Sequence, residues 1–157
     1  MLIWNCRLPS PVGPITVGFS QEGVTRLEFG PEGEEAAIPA CTDAPQPWMG
    51  DIIRALGDYF AGRPIDSRGL RLHLAGTPFQ LRVWHELAAV PWGQTVSYGE
   101  LARRAGYRGA SRAVGRACGQ NPIPIIIPCH RVIRADGSPG GFSAGLERKL
   151  WLLAHES

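Results

Sequence analysis

The stretch SYGELARRAGYRGASRAVGRACGQNPIPIIIPCHRVI, residues 97–133, contains two helical patterns and then an apolar run that ends at a cysteine. Ser97 is placed to cap the first helix, and the second helix spans roughly residues 110–121. Two short helices joined by a tight turn, the second of them basic, predict a helix-turn-helix. The β-branched run at residues 123–128 lies between prolines and predicts a buried strand that carries Cys129 at its end.

The second helix has small side chains along most of its length. They are Ala110, Ser111, Ala113, Gly115, Ala117 and Gly119. Each glycine costs a helix about 1 kcal/mol relative to alanine, so a close approach to the backbone must compensate. Two explanations are open: close packing against a neighbouring helix, or insertion beside a DNA backbone with Arg112 and Arg116 projecting.

The first half of the chain has a different pattern. Residues 2–8, 14–20 and 24–29 are short strand-like segments separated by proline and glycine turns, which predicts an antiparallel sheet. Apolar residues at helical spacing over residues 48–60 predict one helix that covers this sheet. A short alternating segment follows, and the domain boundary is placed after Gly76.

Residues 1–76 and 77–157 are therefore predicted to be separate domains of a mixed α/β fold, of the α+β type. The second domain opens with a helix that Thr77 caps and that has Pro78 in its first turn. It closes with an amphipathic helix at residues 146–156. The inward face of this helix is predicted to consist of Leu146, Leu150, Leu153 and Ala154.

Composition limits the class of protein. A chain of 157 residues that is 44% hydrophobic can bury one core or two small ones, which excludes intrinsic disorder. It has no run of about 18 apolar residues and no leader pattern, so no membrane association and a cytoplasmic location are expected. The four cysteines form no CxxC pair, so free thiols and no metal site are expected. Cys6, Cys41 and Cys118 are expected to be unreactive.

Charge is distributed unevenly along the chain. Up to Gly76 there are six arginines against nine acids, whereas beyond it ten basic residues face five acids. Residues 101–134 alone contain seven arginines and no acid, a local charge that would attract a polyanion. A solvated surface could carry the same charge, so nucleic acid is favoured only in combination with the helix-turn-helix.

Cys129 is the candidate nucleophile because His130 follows it directly, Arg131 adds positive charge, and a proline-limited strand holds its backbone. An unperturbed thiol has a pKa of about 8.5 and is mostly protonated at neutral pH, so a base is required. His130 is the nearest base, and a bridging water is expected because neighbours on a strand point to opposite faces. A zinc site is not favoured, since adjacent Cys and His seldom bind the same ion.

Four segments together resemble one known family. They are VSYGELARRAG, GQNPIP, IIIPCHRVI and GGFSAGLERKLWLLAHE, and they resemble the O6-alkylguanine-DNA alkyltransferases from about residue 78 to residue 156. The resemblance implies a small ribonuclease-H-like domain before a winged helix-turn-helix-like alkyltransferase domain. It also implies direct reversal of DNA damage, in which an alkyl group moves from guanine O6 onto Cys129 once per molecule and without a cofactor.

The resemblance assigns roles to five residues of the reaction centre. Cys129 matches the family nucleophile, and His130 matches the base that acts through water and is oriented by Glu156. Asn121 matches the residue that braces the active-site loop, although a helix C-cap fits its position equally. Tyr98 matches the tyrosine that crowds the flipped nucleotide and protonates the departing guanine, whereas a core tyrosine at a helix start is the alternative.

A guanine inside a duplex must be rotated out before a buried sulfur can reach its O6 atom, at a cost of about a few kcal/mol. The resemblance assigns Arg112 to fill the gap, with its helix in the minor groove. The helix positions that would face the DNA with it are Ala110, Ser111, Ala113, Gly115 and Arg116. The carbonyls of Cys129 and Val132, together with Ser143, match contacts to the guanine. Ala144 stands where many relatives have glycine and is expected to narrow the pocket.

Other classes of protein compete with this interpretation. A non-catalytic damage sensor of the alkyltransferase-like type would flip the base without repair, but such proteins lack the motif cysteine. A Cys-His hydrolase leaves the basic helix unexplained, and a simple helix-turn-helix regulator leaves PCHRV unexplained. The expected partner is therefore double-stranded DNA that contains O6-alkylguanine, bound by a monomer.

Overall fold

The computed structural model describes residues 4–31 and 46–157. The chain forms two compact units, residues 1–74 and residues 75–157. Within the described ranges, none of the helices has the length and apolar character needed to cross a membrane.

The first unit contains a three-stranded antiparallel sheet in the order β1-β2-β3. The strands are β1 (Trp4–Leu8), β2 (Ile15–Phe19) and β3 (Val24–Phe29). Val17 on the central strand lies opposite Cys6 on one side and Leu27 on the other, and all three side chains are buried. Because facing residues share one face of a sheet, this row is the sheet's contribution to the core. The predicted antiparallel sheet is confirmed.

One helix, α1 (Pro47–Phe60), packs on this sheet. Pro47 stands in the first turn, where the missing N–H of proline has no partner to lose. The ring of Trp48 meets the ring of Phe19 edge-on, with 5.9 Å between the ring centres. The buried face of the helix consists of Met49, Ile52, Leu56 and Tyr59. The helix predicted to cover the sheet is confirmed.

The segment after α1 is less regular than its alternating pattern suggests. It contains a short 3-10 turn (Ser67–Gly69) and one isolated bridge, in which Leu72 pairs with Val24 of β3. An isolated bridge adds little sheet structure, so this segment extends the edge of the sheet at a single point.

The expectation of free thiols is only partly correct. Cys118 and Cys129 are free, whereas Cys6 is bonded in a disulfide, so the prediction is wrong for Cys6. A disulfide depends on which cysteines approach each other in space, and sequence spacing does not reveal this. Cys41 lies outside the described residues.

Residues 75–157 form a helical unit with a two-stranded parallel sheet. Its elements are α2 (Pro78–Ala88), β4 (Val96–Ser97), α3 (Tyr98–Arg104), α4 (Ser111–Gly119), β5 (Val132–Ile133) and α5 (Leu146–His155). Strand β4 pairs with β5, which places the start of α3 beside the segment that follows Cys129. The predicted helix-turn-helix is confirmed as α3 and α4.

Side-chain caps fix where these helices begin. Thr77 accepts a hydrogen bond from the backbone N–H of Gln80 at 3.1 Å, and Gln80 Oε1 accepts one from the N–H of Thr77 at 2.9 Å. Ser97 caps α3 in the same way. Such caps satisfy donors that a helix start would otherwise leave unpaired. Trp84 in α2 donates to the carbonyl of Ala117 at 2.9 Å, which ties α2 to α4.

The run IPIIIP at residues 123–128 is buried but is not the predicted strand. It forms a compact turn, in which the N–H of Ile127 donates to the carbonyl of Ile123 at 2.9 Å. Ile125 adopts a positive φ of 74°, which a β-branched residue rarely accepts. Prolines cannot donate to a strand ladder, so this run satisfies its backbone locally. Cys129 consequently begins a 3-10 turn (Cys129–Arg131) instead of ending a strand.

The predicted inward face of α5 is also wrong. Leu146 and Leu150 are each 48% exposed. The residues of this segment that are buried are Arg148, Lys149, Leu152 and Glu156. Leucine was expected inside on the ground of hydrophobicity alone, but the buried charged groups find partners in this unit that offset their loss of water.

Candidate active site

Cys129 is held in a buried position by the turns on both sides of it. Its side chain is 6% exposed, and its backbone N–H donates to the carbonyl of Ile127 at 2.8 Å. Burial raises the pKa of the Cys129 thiol to about 11, although a hydrogen bond from Asn121 and the charge of Lys149 act to lower it. The thiol is therefore protonated at rest, and the sulfur becomes nucleophilic only when a base removes its proton.

Asn121 holds the buried turn in shape. Its Nδ2 atom donates to the carbonyl of Ile127 at 2.7 Å, and its Oδ1 atom accepts from the N–H of Ile123 at 2.9 Å. The C-cap position of α4 belongs to Gln120, so the side chain of Asn121 serves the turn and not the helix end. This geometry fits a brace for the segment that carries Cys129.

His130 is the candidate base of the site. Its Nε2 atom lies 2.6 Å from Oε2 of Glu156, and both side chains are buried. Burial lowers the pKa of His130, and the hydrogen bond to Glu156 opposes this effect. Nδ1 of His130 is the one buried side-chain nitrogen or oxygen, among the described residues, that has no hydrogen-bond partner. The neutral imidazole thus carries its proton on Nε2 and leaves the lone pair of Nδ1 open.

Glu156 is bound by a second residue, Arg131. Arg131 Nε lies 2.7 Å from Oε1 of Glu156 and Nη2 lies 3.1 Å from Oε2. Its remaining nitrogen, Nη1, donates to the carbonyl of Val90 at 2.6 Å. The sequence showed Arg131 only as one more positive charge near the cysteine. The sequence signal for its role was its position directly after Cys129 and His130, in a segment that is buried.

Lys149 of α5 was missed at the sequence level. Its side chain is 0% exposed, and Nζ donates to the carbonyls of Val132 at 2.7 Å and Gly141 at 3.1 Å. Burial lowers the pKa of Lys149. Lys149, Leu152 and Glu156 follow the spacing of one helix face, and this pattern could have identified the inward side of α5.

Tyr98 is placed at the start of α3, against two glycines. A Cβ atom at Gly115 of α4 would lie 3.6 Å from its ring, and one at Gly140 would lie 2.9 Å from its hydroxyl oxygen. Burial raises the pKa of Tyr98, so its hydroxyl keeps its proton and can donate it. At Gly115 an added Cβ would make only an ordinary van der Waals contact with Tyr98, so packing against this ring does not require glycine there. A Cβ at Gly119, in contrast, would meet open space.

The loop after β5 carries the remaining predicted pocket residues. Ser143 is exposed and Ala144 is half-buried, and Arg148 Nη1 donates to the carbonyl of Ala144 at 3.2 Å. The carbonyl of Val132, predicted to bind guanine, accepts from Lys149 and keeps a second lone pair. The roles of these residues toward guanine stay predictions.

The arginines of residues 101–134 fall into two groups. Arg103 and Arg104 are paired with Glu100, and Arg131 is buried against Glu156. Those that are exposed and form no ion pair with a described residue are Arg108, Arg112, Arg116 and Arg134. On α4 the buried side consists of Val114, Ala117 and Cys118. The opposite side of α4 therefore presents small residues and unpaired guanidinium groups to solvent.

Comparisons with known proteins match both units. The family model described as the 6-O-methylguanine DNA methyltransferase DNA binding domain matches residues 78–157, and that of the ribonuclease-like domain matches residues 7–74. A methylated-DNA--protein-cysteine methyltransferase of Mycolicibacterium paratuberculosis is 43% identical over 94% of this chain and 88% of its own. One of Methanosarcina acetivorans is 40% identical over 94% of both chains.

Solved structures give the same result. Mycobacterium tuberculosis OGT, in a complex with DNA, has a TM-score of 0.81 and 40% identity over 96% of this chain and 90% of that chain. The O6-methylguanine-DNA methyltransferase of Pyrococcus kodakaraensis has a TM-score of 0.70 and 25% identity over 99% of both chains. Both units of the chain are thus matched by one family. The chain belongs to the 6-O-methylguanine DNA methyltransferase family.

Proposed function

We propose that this protein repairs DNA by direct reversal: it moves the alkyl group from O6 of a damaged guanine onto Cys129, once per molecule. One observation carries the proposal. A buried free thiol directly precedes an imidazole that Glu156 anchors through Nε2 and whose Nδ1 atom is open. This arrangement supplies both the nucleophile and the base that the thiol needs.

The reaction starts with proton transfer from Sγ of Cys129 to Nδ1 of His130 through a bridging water. The sulfur then attacks the alkyl carbon, so that an S–C bond forms while the C–O6 bond breaks and its electron pair goes to the guanine. Tyr98 donates a proton to the departing guanine and regains one from solvent, to which His130 releases its own. Neutral guanine and a thioether are the products.

Each molecule transfers only one alkyl group, because the S–C bond of the thioether does not break under physiological conditions and the thiol is not regenerated. The alkyl carbon also adds volume at a sulfur that is only 6% exposed. Overpacking of a well-packed site costs about 1 to 3 kcal/mol. The alkylated protein is therefore expected to be less stable than the free protein.

The DNA enters from the side of the unpaired arginines. Arg108 and Arg116 bind phosphates, and Arg112 fills the gap that the extruded nucleotide leaves. The small residues of α4 that are not fully buried, Ser111, Ala113, Gly115 and Gly119, let the helix backbone approach the narrow minor groove. A relative was solved in a complex with DNA, which supports DNA as the partner. The monomeric state and the cytoplasmic location inferred from the sequence stay predictions.

The pocket selects guanine through the carbonyls of Cys129 and Val132 and through Ser143. Ala144 narrows it with one methyl group more than glycine would contribute, so methyl transfer is favoured over benzyl transfer. Comparing the two rates in the native protein and in Ala144→Gly tests this effect: the substitution should raise the benzyl rate selectively. An equal change in both rates would remove the role of Ala144.

Two competing functions differ in what they leave behind. A damage sensor would bind O6-methylguanine DNA and leave both the lesion and the protein unchanged, whereas a hydrolase would turn over. Incubation of the protein with a duplex that contains O6-methylguanine, followed by intact mass analysis of protein and DNA, separates them. The proposal predicts one methyl gained by the protein for each guanine restored. Tight binding without transfer would establish a sensor and contradict the proposal.

A further inference from the structure

Arg131 is the residue after the proposed base, and its guanidinium is buried with a partner for each nitrogen. It donates twice to the carboxylate of Glu156, at 2.7 and 3.1 Å, and once to the carbonyl of Val90, at 2.6 Å. A buried arginine is costly unless its donors are satisfied, and this one is satisfied mainly by the group that also binds His130.

The shared carboxylate sets the charge of the site. Oε2 of Glu156 accepts from both His130 and Arg131, and Oε1 accepts from Arg131. With His130 neutral, the negative charge of Glu156 and the positive charge of Arg131 cancel. Protonation of His130 would leave a net positive charge in a buried site that already lies near Lys149.

We propose that Arg131 is a positioning residue for the transfer reaction: it fixes Glu156 against Nε2 of His130 and offsets its charge, so that the imidazole stays neutral with Nδ1 open. The inference rests on the proposed function, in which Nδ1 receives the proton of the Cys129 thiol. Glu156 remains a carboxylate throughout, and no proton passes to Arg131.

The charged groups that face His130 are few. Among the described residues they are Glu156 and Lys149 from the last helical segment and Arg131 from its own turn. Burial is the main cause that lowers the pKa of His130 from 6.5, and the charges of Arg131 and Lys149 lower it further, while Glu156 raises it. Loss of the Arg131 charge leaves Glu156 unbalanced. The base then becomes protonated at a higher pH, and the acidic limb of the rate profile moves upward.

The experiment measures the single-turnover transfer rate from about pH 5 to pH 8 in the native protein and three variants. Arg131→Gln should move the acidic limb of the profile to higher pH by about one unit. At pH values on the acidic limb, the transfer rate is then about tenfold lower than in the native protein. Glu156→Gln should move the limb down. The double variant, which removes both charges, should return the limb toward its native position. Arg131→Lys keeps the charge and should leave the limb in place while it slows transfer.

A second measurement separates this inference from the proposed function. Titration of the His130 imidazole by NMR in the same variants should show the same order of pKa values, and it needs no transfer to occur. An unchanged limb and an unchanged imidazole titration in folded Arg131→Gln would overturn the role of Arg131, as would an Arg131→Lys limb that moves as far as that of Arg131→Gln. Absence of transfer in the native protein would instead count against the proposed function.

Discussion

Helix α4 and the turn at residues 129–131 both carry arginine, but they place it in opposite environments. On α4, Arg112 and Arg116 are exposed and have no acidic partner among the described residues. In the turn, Arg131 is buried and donates two hydrogen bonds to the carboxylate of Glu156. In the proposed function, the same residue type binds a polyanion on one surface and balances the charge beside the base inside.

The difference shows that a count of charges overstates the DNA-binding surface. Of the seven arginines in residues 101–134, two pair with Glu100 and one with Glu156. Only the unpaired arginines can neutralise DNA phosphates, and so release counterions from the DNA, without breaking an ion pair within the protein. The buried pair, in contrast, is screened little by salt, so its effect on His130 should not depend on ionic strength.

The largest effect is expected inside the buried region. Cys129→Ser should abolish transfer, because a hydroxyl is a much weaker nucleophile than a thiolate at neutral pH, while binding to damaged duplex should be unchanged. The matched control is Cys118→Ser, which removes the second free buried thiol and should keep transfer. Transfer that survives without Cys129 would mean that the nucleophile is another residue.

Arg112→Ala should give the next largest effect, and only on duplex DNA. Loss of the side chain that replaces the extruded nucleotide should slow transfer from a duplex by about tenfold or more, since each 1.4 kcal/mol is a factor of ten. Transfer from the free base O6-benzylguanine requires no extrusion and should proceed at the native rate. If the rates of transfer from both substrates fell equally, Arg112 would act on the chemistry or the fold. The distinction between a DNA-binding surface on α4 and a buried reaction centre would then be wrong.

A smaller effect is expected from one added methyl in the packed region. Gly140→Ala should destabilise the protein by about 1 to 3 kcal/mol, because its φ of 73° disfavours other residues and its Cβ would meet the Tyr98 hydroxyl. The control is Gly141→Ala, whose Cβ would have nothing within 4 Å. Denaturant midpoints measure the difference. Equal midpoints for the two variants would show that this loop is not held against Tyr98.

The smallest effect separates paired from unpaired arginines on the surface. Arg116→Ala should reduce the salt dependence of DNA binding by about one phosphate contact. Arg103→Ala should reduce it less, since Arg103 already donates to Glu100 at 2.6 and 2.9 Å. Affinities measured over a range of salt concentrations give both slopes. A larger change for Arg103 would reverse the assignment of the binding surface.

Local signals predicted much of the fold correctly. The three strands, α1 and the helix-turn-helix follow from periodicity, turn residues and caps such as Thr77 and Ser97, and these act within a few residues of the chain. The PCHRV motif predicts Cys129 and His130 as the reaction centre through its resemblance to a family, and their roles stay predictions. Such local signals do not reveal which distant residues neutralise the charge of a buried group or pair with it in hydrogen bonds.

Two of the three main errors share this cause, and the remaining one is local. The local error concerns residues 123–128: their β-branched side chains predict a strand, but their prolines leave the run to form hydrogen bonds within a turn. The inward face of α5 was assigned to leucines, although Lys149 is the residue that reaches the carbonyls of Val132 and Gly141. Cys6 was expected to be a free thiol because its spacing along the chain does not reveal its disulfide. The outcomes for α5 and for Cys6 depend on tertiary partners that a single sequence does not specify.

The claim that Cys129 alone is alkylated, and only once, is tested most directly by locating the methyl group after reaction with excess O6-methylguanine duplex. Cys118 and Cys129 lie between the same two arginines, Arg116 and Arg131, so tryptic digestion leaves them on one peptide and fragment ions must separate them. Cys118 is an internal control, since burial raises the pKa of its thiol to about 12. The account predicts one methyl per molecule, on Cys129. A methyl on Cys118, or more guanines restored than protein molecules present, would contradict it.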